Sequence, residues 1–205
     1  RKINGAFFTP TYITNFIINS IKPKENDKNL DPSCGCGAFL IELVKFYQSN
    51  FNKKIKQTIR DNIYGADILD YNIRRAKLLL SIFALQSNEI VEEKDFNLTI
   101  QDSLQADWQL SFKRNSTGIF DNIVGNPPYV KYQDLSAENR SYLLKNWLTI
   151  NKGTYNLYFA FFELGYNLLN ENGMVGYITP NNYFTSLAAE SLRTYFHSNQ
   201  CVRHI

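Results

Sequence analysis

Cysteine is scarce, with three in 205 residues. Cys34 and Cys36 stand one residue apart and no second pair follows, so the spacing of a metal centre is missing and no metal is expected. An odd number without a disulfide framework suits a reducing compartment, and the expected location is cytoplasmic. Histidine is scarcer still: His197 and His204 are the two present, and both fall outside every motif below. No apolar run reaches membrane length and no signal peptide is visible, so no membrane partner is expected. Charge of one sign is not in excess either. Lys and Arg number 22 against 19 acids, for a net +3, which permits a nucleic-acid partner without demanding one. The basic clusters (Lys53, Lys54 and Lys56; Arg74, Arg75 and Lys77; Lys113 and Arg114) are small and read as solvated faces rather than a phosphate track. Repeats and low-complexity tracts are absent.

The residues that are present suit a packed α/β domain. The chain is 44% hydrophobic and 15% aromatic, enough for a sizeable core in one domain of ordinary size. Thr9 as N-cap and Pro10 as first helical residue open a helix over 10–21, with Ile13, Phe16, Ile17 and Ile21 at helical spacing. A polar linker leads to a short strand, Asn29 to Asp31, and a glycine-containing turn, Pro32 to Gly37. Helix is expected over Ala38–Tyr47, strand over Ile63–Ile68, then a helix capped by Asp70. In that helix Ile73, Ala76, Leu80 and Phe83 form a stripe. Leu78, Leu79, Ile82 and Leu85 make it apolar nearly all round, which predicts deep packing. Strands follow at Asn97–Gln101 and Phe120–Val124, helices at Glu138–Trp147 and Tyr155–Leu169, a strand at Met174–Thr179 set off by Gly173 and Pro180, and a helix at Phe184–Phe196. Short strands alternating with helices predict a parallel sheet covered on both faces, with right-handed crossovers. Ligands of such sheets lie outside the carboxyl ends of the strands. Asp31, Asp67, Asp102, Asn126 and Pro180 all fall at such ends.

The most informative stretch is Asn126-Pro127-Pro128-Tyr129, directly after the fourth strand. The prolines fix φ, remove two donors and push Asn126 out of the helical region, so the strand stops there and Asn126 sits stiffly at its end. An amide, carbonyls that no helix takes up, and a flat ring can together hold a planar group bearing an NH2. The plainer alternative is a Pro-Pro turn with a surface tyrosine.

Asp31 to Leu40 joins the first strand to a helix. Gly35 and Gly37 allow close backbone approach to a ligand, but a third glycine is missing, so a diphosphate is disfavoured. Asp31 adds negative charge that suits an ammonium or sulfonium ligand. Asp67 is placed to accept both hydroxyls of a ribose. Asp102 either solvates its loop or accepts from an adenine amino group. Thr9 is either a helix cap or, with Phe7, Phe8 and Pro10, part of a lid over the same ligand.

With these residues in view, the chain resembles the adenine-N6 DNA methyltransferases, within them the group whose cofactor motifs precede the target-recognition region. Gly5 to Pro10 resembles the family's cofactor-covering motif, Asp31 to Leu40 its Asp-Pro-x-x-Gly-x-Gly-x-Phe-Leu loop, Gly65 to Ile68 its ribose-binding motif and Asp102-Ser103-Leu104 its adenine-contacting one. Asn126 to Tyr129 matches its catalytic tetrapeptide, and Tyr155 to Tyr158 and Gly173 to Tyr183 resemble its later motifs. The target-recognition region and a further aromatic motif are missing, and Val202 to Ile205 reads like the start of a strand; a catalytic domain cut from a longer protein is expected, with the 10–21 helix as cofactor cover.

The resemblance implies a Rossmann-like S-adenosylmethionine-dependent methyltransferase fold. It implies S-adenosyl-L-methionine as cofactor, held by Thr9, Asp31, Ser33, Gly35, Gly37, Asp67, Ile68, Asp102, Ser103 and Asn126. The implied substrate is double-stranded DNA with a flipped adenine, and a fused or associated endonuclease and a target-recognition domain are the implied partners. Catalysis falls to Asn126, Pro127, Pro128 and Tyr129. Three alternatives stay open: a protein glutamine or RNA base as acceptor, a silent cofactor-binding module of a larger assembly, or the modification half of a restriction-modification fusion.

Overall fold

The structure is a computed structural model that describes residues 9–112, 119–150 and 154–203. Gly5 to Phe8, Lys113, Arg114 and His204 therefore lie outside the described residues. The helices, in chain order, are α1 (Thr11–Ile21), α2 (Ala38–Phe51), α3 (Ile55–Asn62), α4 (Asp70–Gln86), α5 (Trp108–Ser111), α6 (Ala137–Asn146), α7 (Tyr158–Leu168) and α8 (Glu190–Asn199). The strands are β1 (Asn29–Asp31), β2 (Ile63–Asp67), β3 (Asn97–Ile100), β4 (Phe120–Gly125) and β5 (Leu169–Tyr177). The chain groups into two compact units, one of Phe7–Asn126 with Asn167–Ile178, the other containing Pro127–Tyr166 and Thr179–Ile205.

The first unit holds the sheet, ordered β3-β2-β1-β4-β5, with every pairing parallel. Successive strands run outward from β1 to β3 on one side and from β4 to β5 on the other, so the order reverses between β1 and β4. On one face Ile18, Leu40, Leu43, Ile59, Ile63, Ile73, Leu80 and Val124 form one buried cluster, joining α1, α2, α3 and α4 to the strands. On the other, Tyr64 of β2 and Phe120 of β4 meet edge-on at 5.3 Å, and Trp108 of α5 and Phe112 pack around them. Neighbouring strand residues point to opposite faces, which is why Ile63 and Tyr64 enter different layers.

Three sequence expectations are corrected here. Leu78, Leu79, Ile82 and Leu85 are 59, 41, 45 and 57% exposed, so α4 is not packed all round. It lies on β2 and the edge strand β3, with Asn72, Ile73, Ala76, Leu80 and Ala84 buried and Phe83 partly buried against the same cluster. Second, α1 begins at Thr11 with Pro10 in the N-cap position and no side-chain cap, so Thr9 does not cap it; Asp70 likewise sits inside α4, whose N-cap position is Leu69. Third, β5 runs back through Gly173. A Cβ there would stand 2.8 Å from the Asp121 carbonyl oxygen, and the β4–β5 register shifts between Phe120 and Asn122 at this point.

In the second unit the segment after Tyr129 zips against the entry to α7. Leu157 N donates to Val130 O at 2.8 Å and Tyr132 N to Tyr155 O at 2.9 Å, which delays the helix expected from Tyr155 to Tyr158. The helix expected from Phe184 instead begins as short turns at Asn181–Phe184 and Leu187–Ala189. Arg193 holds the link between them, donating from Nη1 to the carbonyls of Tyr183 and Ser186 at 2.8 and 2.7 Å.

The amino ends of β1 and β4 are tied by buried amides. Asn122 Nδ2 donates to Asn29 Oδ1 at 3.1 Å and Asp27 Oδ2 at 2.9 Å; Asn29 Nδ2 donates to the Tyr47 hydroxyl at 2.9 Å; and that hydroxyl donates onward toward the Lys24 and Asp27 carbonyls. A cavity of about 600 Å³, lined by Lys24, Asp27, Asp121 and Glu171 among others, opens at this end. Tyr47→Phe keeps the ring and strips these bonds from fully buried surroundings; urea denaturation should show a loss of about 1–3 kcal/mol.

Candidate cofactor and catalytic site at the carboxyl ends of the strands

Asp31 ends β1 and is 2% exposed. Its Oδ1 accepts from Ser33 N at 3.0 Å, and among the described residues no lysine or arginine forms an ion pair with it. Burial pushes its pKa from 3.8 up to about 8; the Ser33 N–H opposes that shift and the neighbouring Asp67 charge adds to it. Gly125, the last residue of β4, lies so close that a Cβ on it would stand 2.8 Å from Asp31 Oδ1. Gly125 was not singled out from the sequence; its place immediately before Asn126 was the available signal.

The turn after β1 is held against β2. Cys34 N donates to Ala66 O and Gly35 N to Asp67 Oδ2, each at 2.9 Å. Gly35 has φ +52°, and nothing lies within 4 Å of where its Cβ would be, so open space fronts the turn. Gly37, at φ +88°, serves packing instead: its Cβ would meet that of Ala76 at 3.2 Å, which lets α2 and α4 approach. Burial pushes the Cys34 thiol well above its usual range, and the Asp31 and Asp67 charges add to the shift, which disfavours the thiolate.

Asp67 ends β2 but is largely engaged by the protein. Its Oδ1 accepts from Leu69 N at 2.9 Å and Asn72 Nδ2 at 3.0 Å, and its Oδ2 from Gly35 N. Those bonds take three of about four lone-pair positions, leaving room for one outside hydroxyl rather than the two expected. Asp67 also supports the start of α4 through Leu69 N, the task that the sequence assigned to Asp70. Ile68 follows with its side chain 61% exposed. Asp102 closes its own turn, accepting from Leu104 N and Gln105 Nε2 at 3.0 Å each. Ser103 is buried; its hydroxyl donates to Pro32 O and its carbonyl accepts the Trp108 indole N–H, which latches the loop after β3 to the turn after β1.

Asn126 follows β4 directly. Its carbonyl accepts from Ser33 Oγ at 3.4 Å, and its Nδ2 donates to Thr9 Oγ1 at 3.2 Å. Five of the candidate residues (Thr9, Asp31, Ser33, Gly35 and Asp67) are thus linked with Asn126 around the β1–β4 reversal, while Gly37, Asp102 and Ser103 shape the loops beside them. Within the second unit Tyr129 is half-buried and meets the Tyr158 ring edge-on at 5.9 Å; burial raises its hydroxyl pKa. Tyr158 is itself fixed, its hydroxyl donating to Asn182 Oδ1 at 3.0 Å.

A buried carboxyl with no ion-pair partner among the described residues, an open glycine turn and a partly committed strand-end acid fit a ligand that carries an ammonium group and a ribose. The fold around them is the Rossmann-like fold of S-adenosylmethionine-dependent methyltransferases. The methyltransferase subunit of a type I restriction-modification system from Streptococcus thermophilus superimposes with a TM-score of 0.65 over 94% of this chain and 38% of its own, at 20% identity. The ATP-dependent Type ISP restriction-modification enzyme LlaBIII bound to DNA gives 0.72 over 92% of this chain and 16% of its own, at 18% identity. The Eco57I restriction-modification methylase model matches residues 61–205, and the chain belongs to that family. Type II methyltransferase M.BanIII of Aneurinibacillus aneurinilyticus is 29% identical over 211 residues, covering 97% of this chain and 34% of the relative. Type II restriction enzyme and methyltransferase RM.Eco57I of Escherichia coli is 28% identical over 251 residues, covering 94% of this chain and 24% of the relative. The chain therefore spans about a third or less of the length of these two proteins.

Two predictions follow from the carboxyl end. The unfolded chain ionises Asp31 near 3.8, whereas the folded protein does so near 8. Between those values the folded state keeps a proton that the unfolded state has lost, so stability falls as pH rises. Thermal melts between pH 5 and pH 8 should show a decline that Asp31→Asn flattens. Gly125→Ala should destabilise the protein by about 1–3 kcal/mol in denaturant titrations, because the methyl group collides with the Asp31 carboxyl.

Proposed function

We propose that this chain is the catalytic part of an enzyme that transfers a methyl group from S-adenosylmethionine to the N6 amino group of adenine in DNA. The observation that carries this reading is Asn126, held at the end of β4 beside the buried Asp31 where the strand order reverses. S-adenosylmethionine, when bound, supplies a methyl group activated by its positive sulfur. Asp31 faces the ammonium of the methionine part, the Gly35 turn leaves room for its backbone-like atoms, and Asp67 takes one ribose hydroxyl. Ile68 offers an exposed aliphatic surface to the adenine ring.

On the substrate side, Asn126 Oδ1 and the Pro127 carbonyl accept the two N6 hydrogens. Pro127 lacks an N–H, so the tetrapeptide presents acceptors where another residue would also present a donor. Accepting both hydrogens draws the nitrogen toward tetrahedral geometry and exposes its lone pair to the methyl group; as the N–C bond forms the methyl–sulfur bond would break, the sulfur would leave as a neutral thioether, and the surplus N6 proton would pass to solvent. The gain comes from position and preorganised acceptors, and no strong base is required. Tyr129, the last residue of the tetrapeptide, stacks on the flipped base, a contribution of roughly 1–3 kcal/mol. Membership of the restriction-modification methylase family supports DNA as the acceptor, and RM.Eco57I, described as both restriction enzyme and methyltransferase, supports an associated endonuclease.

The test uses the full-length protein with labelled S-adenosylmethionine and DNA, RNA and protein acceptors. Wild type should label adenine N6 in duplex DNA. Asn126→Ala should lower transfer at least about a hundredfold, as removal of a preorganised hydrogen-bonding group does elsewhere, while cofactor affinity stays within about threefold. Labelling of RNA or protein in place of DNA would move the substrate assignment, and full transfer by Asn126→Ala would refute the acceptor role.

A further inference from the structure

We propose that Thr9 is a positioning residue that orients the Asn126 side chain; the proposal rests on the function given above. Thr9 is 5% exposed, yet its hydroxyl caps no helix, since α1 has no side-chain cap. Instead its Oγ1 accepts from Asn126 Nδ2 at 3.2 Å, across 117 residues of sequence. A hydroxyl buried to this degree needs a partner, and here the partner is the catalytic amide.

The orientation matters because a carboxamide has two unlike ends. Rotation about its last torsion is roughly two-fold, so an unheld amide samples both arrangements. Only the oxygen can accept a hydrogen from an exocyclic amine; the nitrogen end would set donor against donor. Thr9 engages the Nδ2 end and so fixes which end of the amide is oxygen, and donation from Nδ2 polarises the amide so that Oδ1 becomes the better acceptor. The Ser33 hydroxyl, on the Asn126 carbonyl at 3.4 Å, restrains the main chain from the cofactor turn. Thr9 and Ser33 therefore fix side chain and backbone of the same residue from two different segments. In this assignment Thr9 acts through Asn126, and a direct contribution to cofactor affinity is not required.

The experiment measures transfer to duplex DNA by the full-length protein carrying Thr9→Val, which keeps the shape and removes the oxygen, and Thr9→Ser, which keeps the oxygen. Thr9→Ala serves the same purpose if valine compromises folding. Thr9→Val should lower kcat about tenfold to a hundredfold, the range that a small misplacement of a reacting group costs. KM for DNA and Kd for S-adenosylmethionine should stay within about threefold, and Thr9→Ser should restore kcat to within about threefold of wild type. In an Asn126→Asp background, where oxygen occupies both ends of the side chain, the cost of Thr9→Val should shrink. Unchanged kcat in Thr9→Val overturns the proposal alone. So does a weakened cofactor Kd that accounts for the loss, which makes Thr9 a cofactor ligand, or equal impairment by serine and valine, which makes its role packing. Failure of the wild type to methylate any acceptor overturns the function and this proposal together.

Discussion

The carboxyl edge of the sheet depends on one pairing, β1 beside β4. Asn29 lies opposite Asn122 and Leu30 opposite Ile123 in parallel register, so the next residues along both strands emerge side by side. Asp31 and Gly125 then approach so closely that no side chain fits on the glycine. Asn126 inherits its place from the same register. The pairing is secured at its far end by the hydrogen bond from the Asn122 amide to the Asn29 amide and by the Tyr47 hydroxyl behind it. A slip of one residue would turn those buried amides to the wrong face and leave them without partners. A polar lock at one end of two short strands therefore sets the geometry of the chemistry at the other.

Around that pairing, most of the polar residues work for the protein rather than for a ligand. Asp67 spends most of its capacity on the turn after β1 and on the start of α4. Ser103 and Trp108 tie the β3 loop to Pro32, and Gly37 brings two helices together. This leaves a smaller set for a ligand: the Asp31 carboxyl, the open face of Gly35 and one position on Asp67, with the Asn126 amide beside them. The buried acid stands apart energetically. It is held against its preference for water, and a cationic ligand relieves that cost.

Much of this was legible in the sequence because it is local. Strand ends are marked by Asp31, Asp67 and Asn126, and the Pro-Pro pair fixes the exit from β4 without help from tertiary structure. What could not be read depends on neighbours distant in the chain. The leucines of α4 look like core until the sheet order puts β3 at the edge, with nothing among the described residues beyond it. Thr9 has the right identity for a helix cap, and only the folded chain reveals its bond to Asn126. The start of α3 is supported by Glu89, whose carboxylate accepts from Ile55 N and Lys56 N at 3.0 and 2.9 Å from more than thirty residues away. Gly173 reads as a strand boundary, but the pairing with β4 carries β5 through it.

The central claim is that the ligand belongs at the carboxyl end of β1 and β4, not in the cavity of about 600 Å³ at their amino end. Hydrogen–deuterium exchange of the full-length protein with and without S-adenosylmethionine separates the two ends directly. Protection that appears across Asp31–Gly37 and Gly125–Asn126, with none at Lys22–Asp27 or Asn170–Met174, is the predicted result. Protection confined to the Lys22–Asp27 and Asn170–Met174 segments would contradict it.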